Sequence, residues 1–446
     1  MGLRWYQGVT RGQWMALLAA LLGWMFDGFE MGIFPPLART ALIELLDLQE
    51  DARLVTEGSD PAVREAAKKR VDSAVGPWNG RIYAAFLVGA ALGGWLFGWL
   101  GDRIGRVRAM IFSVLTYAGF TGLCGLAQDP YQLAVLRFLA ALGMGGEWAL
   151  GVALVMECWA AHARPVLAGL IGSAANVGFI GAALLVMGLE GLGLKAAGGG
   201  WRWMLGACAF PALLTFFIRM FVPESEKWLH AAKTTPKASL AAIFVPGLRR
   251  RTIMAAVLGG IALVGTWGSV QWIPQWTNQM AQAQGLSSPQ FYSNVAQICS
   301  GVGAVIVCFL AAVYGSRIAR RPGFFLLCLG SLIVCAVLFN LFRRVDWLFM
   351  VMVFVVGGVT ASFYGWLPLY LPELFPTRVR AMGQGFGFNF GRIIAAGGAL
   401  SMGFLMSPHV FNGSYALAGA TISLVYLVGL VVIWFAPETH GKPLPE

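Results

Sequence analysis

Long stretches of this chain carry almost no charge, and that feature limits the possible folds more than any other. About 20 apolar residues cross the hydrocarbon core of a bilayer as a helix. Because backbone polar groups in lipid must be hydrogen-bonded within the chain, each such stretch is predicted to be helical. The twelve predicted spans are residues 12–36, 80–100, 109–127, 130–156, 166–190, 201–222, 252–276, 290–314, 323–341, 346–372, 381–406 and 412–435. The sequence therefore predicts an all-α membrane protein with twelve transmembrane helices.

The composition excludes an ordinary water-soluble domain. Of the 446 residues, 58% are hydrophobic and 12% are charged, whereas soluble proteins carry roughly twice that charged fraction. The net charge of +11 comes from basic residues in short connections, so we interpret it as a topology signal rather than a nucleic-acid surface. The seven cysteines show no metal-ligand spacing, and neither a metal nor a cofactor is predicted.

Lysine and arginine are concentrated on one side of the predicted spans, which by the positive-inside rule faces the cytoplasm. The opposite side has fewer basic residues, and its longest loop, 37–79, mixes basic with acidic side chains. Both termini are therefore predicted to be cytoplasmic in an inner (plasma) membrane. No cleavable signal peptide is evident. We assign no role to the loop at 37–79.

Two motifs recur at one fixed distance along the chain. The segment Gly101–Arg106 (GDRIGR) matches Gly315–Arg320 (GSRIAR), and Pro223–Ser225 (PES) matches Pro437–Thr439 (PET), each 214 residues later. Two unrelated motifs at one offset indicate a duplicated six-helix unit. Parallel six-helix halves around a central site are a transporter architecture, in which one half rocks against the other.

These motifs resemble those of the major facilitator superfamily over nearly the whole chain. The segments PESEKWL (223–229), PELFPTR (372–378) and PETHGK (437–442) are similar to sugar-porter motifs. Three others resemble proton symporters of sialate, metabolites and aromatic acids: DGFE (27–30), GMGGEW (143–148) and GQGFGFNFGR (383–392). Sugar porters carry a glutamine pair in their seventh helix, where this chain has Gln271 alone. This difference weakens the prediction of a sugar substrate without excluding it.

The resemblance implies a twelve-helix fold in two pseudo-symmetric six-helix bundles. We divide the chain into an N-terminal bundle at 1–222, which includes the loop at 37–79, a cytoplasmic linker at 223–251 and a C-terminal bundle at 252–446. The resemblance also implies alternating access and proton-coupled symport of a small organic acid.

Five ionisable side chains fall inside the predicted spans, where each costs at least about 2.5–3.5 kcal/mol unless it faces a cavity or a partner. They are Asp27, Glu30, Arg137, Glu147 and Arg392. Spans one and four run in opposite directions, so Glu30 and Arg137 both fall in the outer half and can pair. Related symporters use such a pair for proton coupling, and the resemblance carries this role to Glu30, with Asp27 one turn away. A static bridge that only holds two helices together is the alternative.

Arg392 is the candidate contact for a substrate carboxylate, because guanidinium binds carboxylate through two parallel hydrogen bonds. Asn389 lies one helical turn before it. Glu147 lies at a similar depth and is the alternative partner that would neutralise Arg392. The uncharged candidates lie on helices expected to line a central cavity, although tryptophan in membrane proteins often serves interfaces and packing instead. They are Asn176, Trp267, Gln271, Trp272, Tyr364 and Trp366.

The charged motifs on the predicted cytoplasmic side are expected to control conformation rather than bind substrate. Ion pairs between these bases and acids would latch the inner gate, and simple membrane-orienting charge is the alternative. The residues concerned are Asp102, Arg103, Arg106, Glu157, Glu224, Arg317, Arg320, Glu373 and Glu438.

The leading hypothesis is a monomeric, proton-coupled carrier whose partners are a small organic anion, protons and the bilayer. The loop GDRIGR lacks the GxxxxGK[ST] pattern, so the sequence gives no support for ATP-driven pumping. The alternatives are a sugar or polyol carrier and a nutrient sensor without net flux. An enzyme is not predicted, because the sequence contains no recognisable nucleophile–base pair or metal cluster.

Overall fold

The computed structural model describes residues 5–57, 60–191, 198–206, 220–234, 238–405, 410–411 and 414–445, and within these ranges it contains helices but no strand. The first half contains α1 (Arg11–Leu45), α2 (Gln49–Glu57), α3 (Pro61–Ile104), α4 (Arg106–Cys124), α5 (Pro130–Cys158), α6 (Arg164–Gly191) and α7 (200–206). A short helix, α8 (Glu226–Thr234), follows. The second half contains α9 (Arg249–Gly268), α10 (Ile273–Ala283), α11 (Pro289–Gly315), α12 (Arg320–Leu341), α13 (Trp347–Leu374), α14 (Arg380–Leu405), α15 (Tyr415–Ser423) and α16 (Val425–Val432).

The helices account for the predicted spans. Ten helical segments of the described residues are long and apolar enough to cross a membrane. Span eleven is α14, in which Gln384, Asn389 and Arg392 lower the hydropathy. Span six lies mostly outside the described residues. The all-α prediction and the two-bundle, twelve-helix architecture are confirmed.

We name the two ends of the molecule by the segments they carry. The motif face carries the repeated loops Gly101–Arg106 and Gly315–Arg320, and the cap face carries α2. The helix α1 begins at the motif face, where Thr10 and Gln13 form a capping box that satisfies the first backbone N–H groups.

The segment expected to be a loop at 37–79 is largely helical, which corrects that prediction. The first helix continues to Leu45, and α3 begins at Pro61 after Asp60, whose side chain accepts a hydrogen bond from the Ala62 N–H (2.8 Å). The first turns of α3 are rich in Ala, Glu, Lys and Arg, which are strong helix formers. Two ion pairs of 2.7 Å, Arg39–Asp72 and Arg70–Asp51, join these helices. With 44 residues, α3 is about 66 Å long.

Span seven is broken rather than continuous. The helix α9 ends at Gly268, a 3₁₀ turn covers Val270–Trp272, and α10 begins at Ile273. Pro274 explains the break, because proline lacks an N–H group and its ring clashes with the carbonyl four residues earlier. The break exposes the side chain of Gln271 to the space between the bundles.

Two seams join the bundles, α3 against α14 and α6 against α11. Small residues allow close approach in the first seam. A Cβ atom built on Gly385 would lie 1.9 Å from the carbonyl oxygen of Gly94, so the two backbones pass in direct contact. In the second seam, the hydroxyl of Ser173 donates to the carbonyl of Val305 (3.0 Å). The space between the seams is the central cavity.

Candidate functional site

The cavity lies between the two bundles and has a volume of about 890 Å³, its open mouth included. Both bundles contribute to its wall. The wall includes Trp24 and Met31 of α1, Asn176 of α6, Thr266 and Trp267 of α9, Gln271 of the break, Gln297 and Ser300 of α11, Tyr364 of α13, and Phe388 and Arg392 of α14.

Aromatic rings close the end of the cavity nearer the motif face. Trp148 and Phe388 stack with ring centroids 3.9 Å apart, and Trp24 meets Phe388 edge to face at 6.0 Å. These rings come from both bundles. The cavity wall therefore changes whenever the bundles move apart.

Arg392 is the cation of the cavity wall. Its side chain is buried in the protein, and its Nε and Nη1 atoms make no hydrogen bond within the part of the chain that the structure describes. The acid whose charge acts on it is Asp27 of α1, where the sequence had offered Glu147 as the alternative partner.

Five of the nine substrate-contact candidates line the cavity, namely Arg392, Asn176, Gln271, Trp267 and Tyr364. The sequence did not single out Thr266, Gln297 or Ser300, which also line it. Small polar residues are common in membrane helices, so their composition alone carried no signal. Thr266 of α9 and Tyr364 of α13 lie close together in this wall.

The other four candidates lie outside the cavity wall, and their expected placement is corrected. Asn389 donates to the carbonyls of Gly145 and Gly385 (both 3.0 Å), so it joins α14 to α5. Glu147 is buried within α5. Trp272 stacks on Tyr415 at 6.3 Å, and Trp366 packs between Phe324 (5.0 Å) and Tyr370 (4.6 Å). Each points to its own bundle or to a helix seam because the rotation of its helix is fixed by packing.

Glu30 and Arg137 form a buried ion pair between α1 and α5. Arg137 Nη2 lies 3.5 Å from Glu30 Oε2. The guanidinium also lies over the rings of Phe34 (4.0 Å) and Phe86 (4.6 Å), which stabilise the cation through their π faces. The pair predicted from helix direction is therefore present, beside the cavity rather than in its wall.

A network of charges closes the motif face across the two bundles. Arg106 bonds Asp102 (2.9 Å) and Glu157 (3.1 Å) within the N-terminal bundle. Glu157 also binds Arg380 of the C-terminal bundle (3.0 Å). Asp102 accepts hydrogen bonds from the N–H groups of Ala381 (3.2 Å) and Met382 (2.8 Å) at the start of α14, where a carboxylate also complements the helix dipole.

The second half repeats part of this network. Arg320 binds Glu373 through two hydrogen bonds (3.0 and 2.8 Å). Glu224 accepts from the N–H groups of Arg106 and Val107 (3.0 and 3.1 Å), and Glu438 accepts from those of Arg320 and Arg321 (2.9 and 3.0 Å). The predicted gate residues Arg320, Glu373, Glu224 and Glu438 thus have the contacts that the repeat implies.

Arg103 and Arg317 differ from the expectation that they pair with acids. Both are exposed, and they lie over the rings of Trp99 (5.1 Å) and Tyr314 (5.6 Å), respectively. Their side chains point away from the buried acids because they sit three residues before Arg106 and Arg320, on another side of the loop.

A further repeat was missed in the sequence. Glu157 and Arg164 are separated by the same seven positions as Glu373 and Arg380, at an offset of 216 residues. In the structure Arg380 binds Glu157, and the charge of Glu373 acts electrostatically on Arg164. The repeat thus places an acid and a base of each bundle near those of the other, and Arg380–Glu157 forms an ion pair. The equal spacing was the signal that could have revealed these cross-bundle partners.

The two capping glutamates differ in acidity although their contacts are alike. Burial raises the pKa of Glu224 above its usual value. At Glu438 burial acts in the same direction, but the N–H groups of Arg321 and Arg320 outweigh it and hold the pKa below its usual value. Glu438 is therefore the more strongly ionised of the two.

Comparison with known proteins identifies the family. The sequence profile described as "Sugar (and other) transporter" matches residues 53–243 and 244–446. The chain is 30% identical to the probable 4-methylmuconolactone transporter of Cupriavidus pinatubonensis, over 98% of this chain and 93% of that protein. It is 28% identical to the cis,cis-muconate transport protein of Acinetobacter baylyi, over 80% of this chain and 84% of that protein.

The fold also matches that of a solved transporter. The proton:xylose symporter XylE, a major facilitator superfamily protein, superposes with a TM-score of 0.76 at 17% identity, over 97% of each chain. The duplicated bundles, the central cavity and the family profile lead to one conclusion: the chain belongs to the sugar (and other) transporter family of the major facilitator superfamily.

Proposed function

We propose that this transporter carries a small organic anion together with protons by alternating access. The observation that carries the proposal is Arg392, a buried guanidinium in the wall of the cavity with two nitrogen atoms that no described residue engages. A guanidinium in such a place matches a carboxylate in charge and geometry. The aromatic rings and amides around it suit the rest of a small amphiphilic solute.

The names of relatives support an organic acid as the substrate class. One relative is named for cis,cis-muconate and another for 4-methylmuconolactone. Both align with this chain over most of its length. We therefore expect a carboxylate-bearing metabolite of similar size.

The count of buried charges supports proton coupling. Asp27, Glu30 and Glu147 are three acids, whereas Arg137 and Arg392 are two bases, and all five are buried in the spans. A fully ionised set carries one uncompensated negative charge in a medium that penalises it. One bound proton neutralises the set. We propose that Glu30, paired with Arg137, couples this proton to the rocking of the bundles, with Asp27 nearby.

The motif face supports a gate that must open during the cycle. The contacts of Glu157 with Arg380 and of Asp102 with α14 cross between the bundles. Parting the bundles at this face breaks them, whereas Arg320–Glu373 lies within one bundle and stays. We propose that the cross-bundle contacts stabilise the state that is closed at the motif face.

The concentration of Lys and Arg supports placing the motif face and both termini in the cytoplasm of an inner membrane. A single chain encloses the cavity, and this supports a monomer as the transporting unit.

A sugar or polyol is the second candidate substrate. Asn176, Gln271 and Gln297 offer amide groups for hydroxyls in the cavity wall. A neutral substrate, however, would bring no carboxylate to the two Arg392 nitrogen atoms that no described residue engages. Transport that is equally fast for hexoses and independent of Arg392 would favour this second candidate.

Flux into proteoliposomes under an imposed pH gradient tests the proposal. We expect uphill accumulation of one or more of cis,cis-muconate, sialate, lactate and aromatic acids, and none of hexoses. Absence of flux for every solute would instead favour a sensor.

Substitution of Arg392 tests direct binding of the carboxylate. Arg392→Lys keeps the charge but loses the planar guanidinium. The affinity for the anion should therefore fall by about tenfold or more, because a hydrogen bond to a charged group contributes about 1.5–3 kcal/mol. The matched control is Arg344→Lys, at an exposed position, which should leave affinity unchanged. Normal affinity in Arg392→Lys would argue against direct binding.

Substitution of Glu30 tests proton coupling separately. Glu30→Gln cannot release a proton, so it should lose uphill accumulation while retaining exchange of labelled for unlabelled substrate. Retained exchange also shows that the variant is folded. Accumulation at the wild-type level would show that Glu30 is not the coupling site.

A further inference from the structure

Three successive pairs of residues relate α1 to α14 along one side of the cavity. Trp24 meets Phe388 edge to face at 6.0 Å, and one turn further Asp27 acts electrostatically on Arg392. Another turn on, Met31 and Ala396 belong to one packed cluster. Spacings of three and four residues on α1, and of four on α14, place the members of each set on one side of their helix. Asp27 and Arg392 are therefore neighbours across the boundary between the bundles.

This position makes Asp27 an internal competitor for the site of a substrate carboxylate. Arg392 lines the cavity, as do Trp24 and Met31 on either side of Asp27, and Asp27 itself is buried. An anion bound at Arg392 would bring a second carboxylate to one guanidinium. Two ionised carboxylates beside a single buried cation leave a net negative charge in a poorly solvated place.

We propose that Asp27 takes up a proton when a substrate carboxylate binds at Arg392. The inference rests on the proposed function, because it needs an organic anion as the substrate. The proton comes from water at the cavity mouth and becomes bound to a carboxylate oxygen of Asp27, while Arg392 forms an ion pair with the substrate carboxylate. Binding of the anion and uptake of the proton then form one electrically neutral event.

Asp27 thereby differs in role from Glu30. The Glu30–Arg137 pair lies within the N-terminal bundle, outside the cavity wall, so a substrate does not displace it directly. Asp27 and Arg392, by contrast, belong to different bundles, and Arg392 lies in the wall of the binding site. Exchange of Asp27 for substrate at Arg392 would therefore also release one link between α1 and α14.

The spans around the cavity carry other titratable and charged groups besides Asp27, so the test must separate them. Tyrosine and arginine keep their protonation state near neutral pH, which leaves three buried carboxyl groups as possible acceptors. The titratable and charged groups in the inner parts of α1, α3, α4, α5 and α13 are Glu30, Tyr83, Tyr117, Arg137, Glu147 and Tyr364.

The test measures proton uptake on binding of cis,cis-muconate, sialate, lactate or 4-hydroxybenzoate to the purified full-length protein. A pH indicator in weakly buffered solution reports the protons, and calorimetry reports the binding. For wild type we expect about one proton per bound anion, and an apparent affinity that improves up to about tenfold for each pH unit of acidification where Asp27 is ionised.

Three single variants assign the proton. Asp27→Asn should bind the anion with an affinity that no longer depends on pH and equals the low-pH limit of wild type, without proton uptake. Glu30→Gln and Glu147→Gln should retain the uptake. Asp27→Glu, which keeps a titratable group, should restore pH dependence if Asp27→Asn is poorly folded.

The outcomes separate this inference from the proposed function. Binding without proton uptake in wild type, or uptake that survives in Asp27→Asn, overturns the inference and leaves an anion carrier. Uptake lost in Glu30→Gln or Glu147→Gln but kept in Asp27→Asn moves the proton to that residue and also overturns it. No binding of any of the four anions overturns the proposed function, and the inference with it.

Discussion

Glu224 and Glu438 show how surroundings set the behaviour of identical side chains. Both cap a helix at repeat-related positions, through pairs of backbone N–H groups. Burial dominates at Glu224 and raises its pKa, whereas the N–H groups prevail at Glu438 and lower its pKa. Ionisation is therefore unfavourable for folding at Glu224 and favourable at Glu438.

The sign of the pH dependence follows from these directions. The stabilising contribution of Glu438 is present above the unfolded pKa of about 4.3 and is lost as the pH falls through its lower folded pKa. At Glu224 the charge is penalised above the raised folded pKa, and the penalty disappears as the pH falls. We therefore expect Glu438→Gln to destabilise the protein at pH 7 more than Glu224→Gln does. The difference in the free energy of unfolding should be about 0.5–2 kcal/mol, the usual effect of losing a helix cap, and the thermal midpoint should fall accordingly.

Thermal denaturation in detergent at several pH values measures this difference. The two variants control for each other, because they remove the same cap from repeat-related helices. The gap between them should narrow only as the pH falls below about 4.3 and through the lowered folded pKa of Glu438, where both wild-type carboxyl groups bind protons. A larger loss for Glu224→Gln at pH 7 would contradict the assignment.

At the same scale, the sequence allowed prediction of residue types better than of side-chain directions. Arg392 and Gln271 were predicted to face the cavity and do so, because a buried charge or amide needs a polar space. Asn389 and Trp366 satisfy the same rule of composition but face seams and packed rings. A rotation of a helix by one residue decides between these outcomes, and only the packed neighbours fix that rotation.

At the scale of elements, the crossing of α3 and α14 depends on the absence of side chains. Gly94 and Gly385 bring the two backbones into contact, and this crossing lies between the bundles that must move. A Cβ atom added to Gly397, also on α14, would meet no atom of the described residues within 4 Å. Gly385 and Gly397 of α14 therefore form a matched pair for substitution.

We expect Gly385→Ala to destabilise the protein by about 1–3 kcal/mol, the usual effect of forcing a methyl group into a filled space, and to slow transport. The backbone of Gly94 cannot give way as a flexible side chain would. Gly397→Ala should have little effect on either quantity. Thermal midpoints and initial rates of uptake in proteoliposomes measure the difference, and equal behaviour of the two variants would show that the contact is not limiting.

The sequence predicted helices reliably but not where they end or break. Apolar length located the spans, because a bilayer demands it. The helical segment at 37–79 was interpreted as a loop because its charged side chains cannot enter lipid. Asp60 and Pro61, however, form a helix start that could have been recognised. Pro274 likewise marks the break in span seven, which apolar length alone conceals.

At the scale of the molecule, the contacts across the motif face bias the equilibrium between open and closed states. Arg380 binds Glu157 across the bundles, whereas Arg320 binds Glu373 within one bundle. A change at Arg380 should therefore alter conformation. The same change at Arg320 should alter stability without shifting the balance of states.

We expect Arg380→Gln to increase the population open at the motif face by about tenfold or more, since a hydrogen bond to a charged group contributes about 1.5–3 kcal/mol. Arg320→Gln is the matched control. Spin labels at the exposed positions Arg108 and Arg378, in a background without the seven cysteines, measure the distance between the bundles. An unchanged distance distribution in Arg380→Gln would show that this pair does not hold the gate.

Glu157 has a consequence for the speed of the cycle. It is bound at once by Arg106, Arg380 and the hydroxyl of Ser225 (2.7 Å). A buried carboxylate stripped of its partners is strongly destabilised, but here two donors remain when Arg380 departs. Opening thus resembles ligand exchange at a metal ion, where one donor leaves while the other donors stay bound. The two bundles can therefore separate and rejoin repeatedly without leaving the Glu157 carboxylate unpaired.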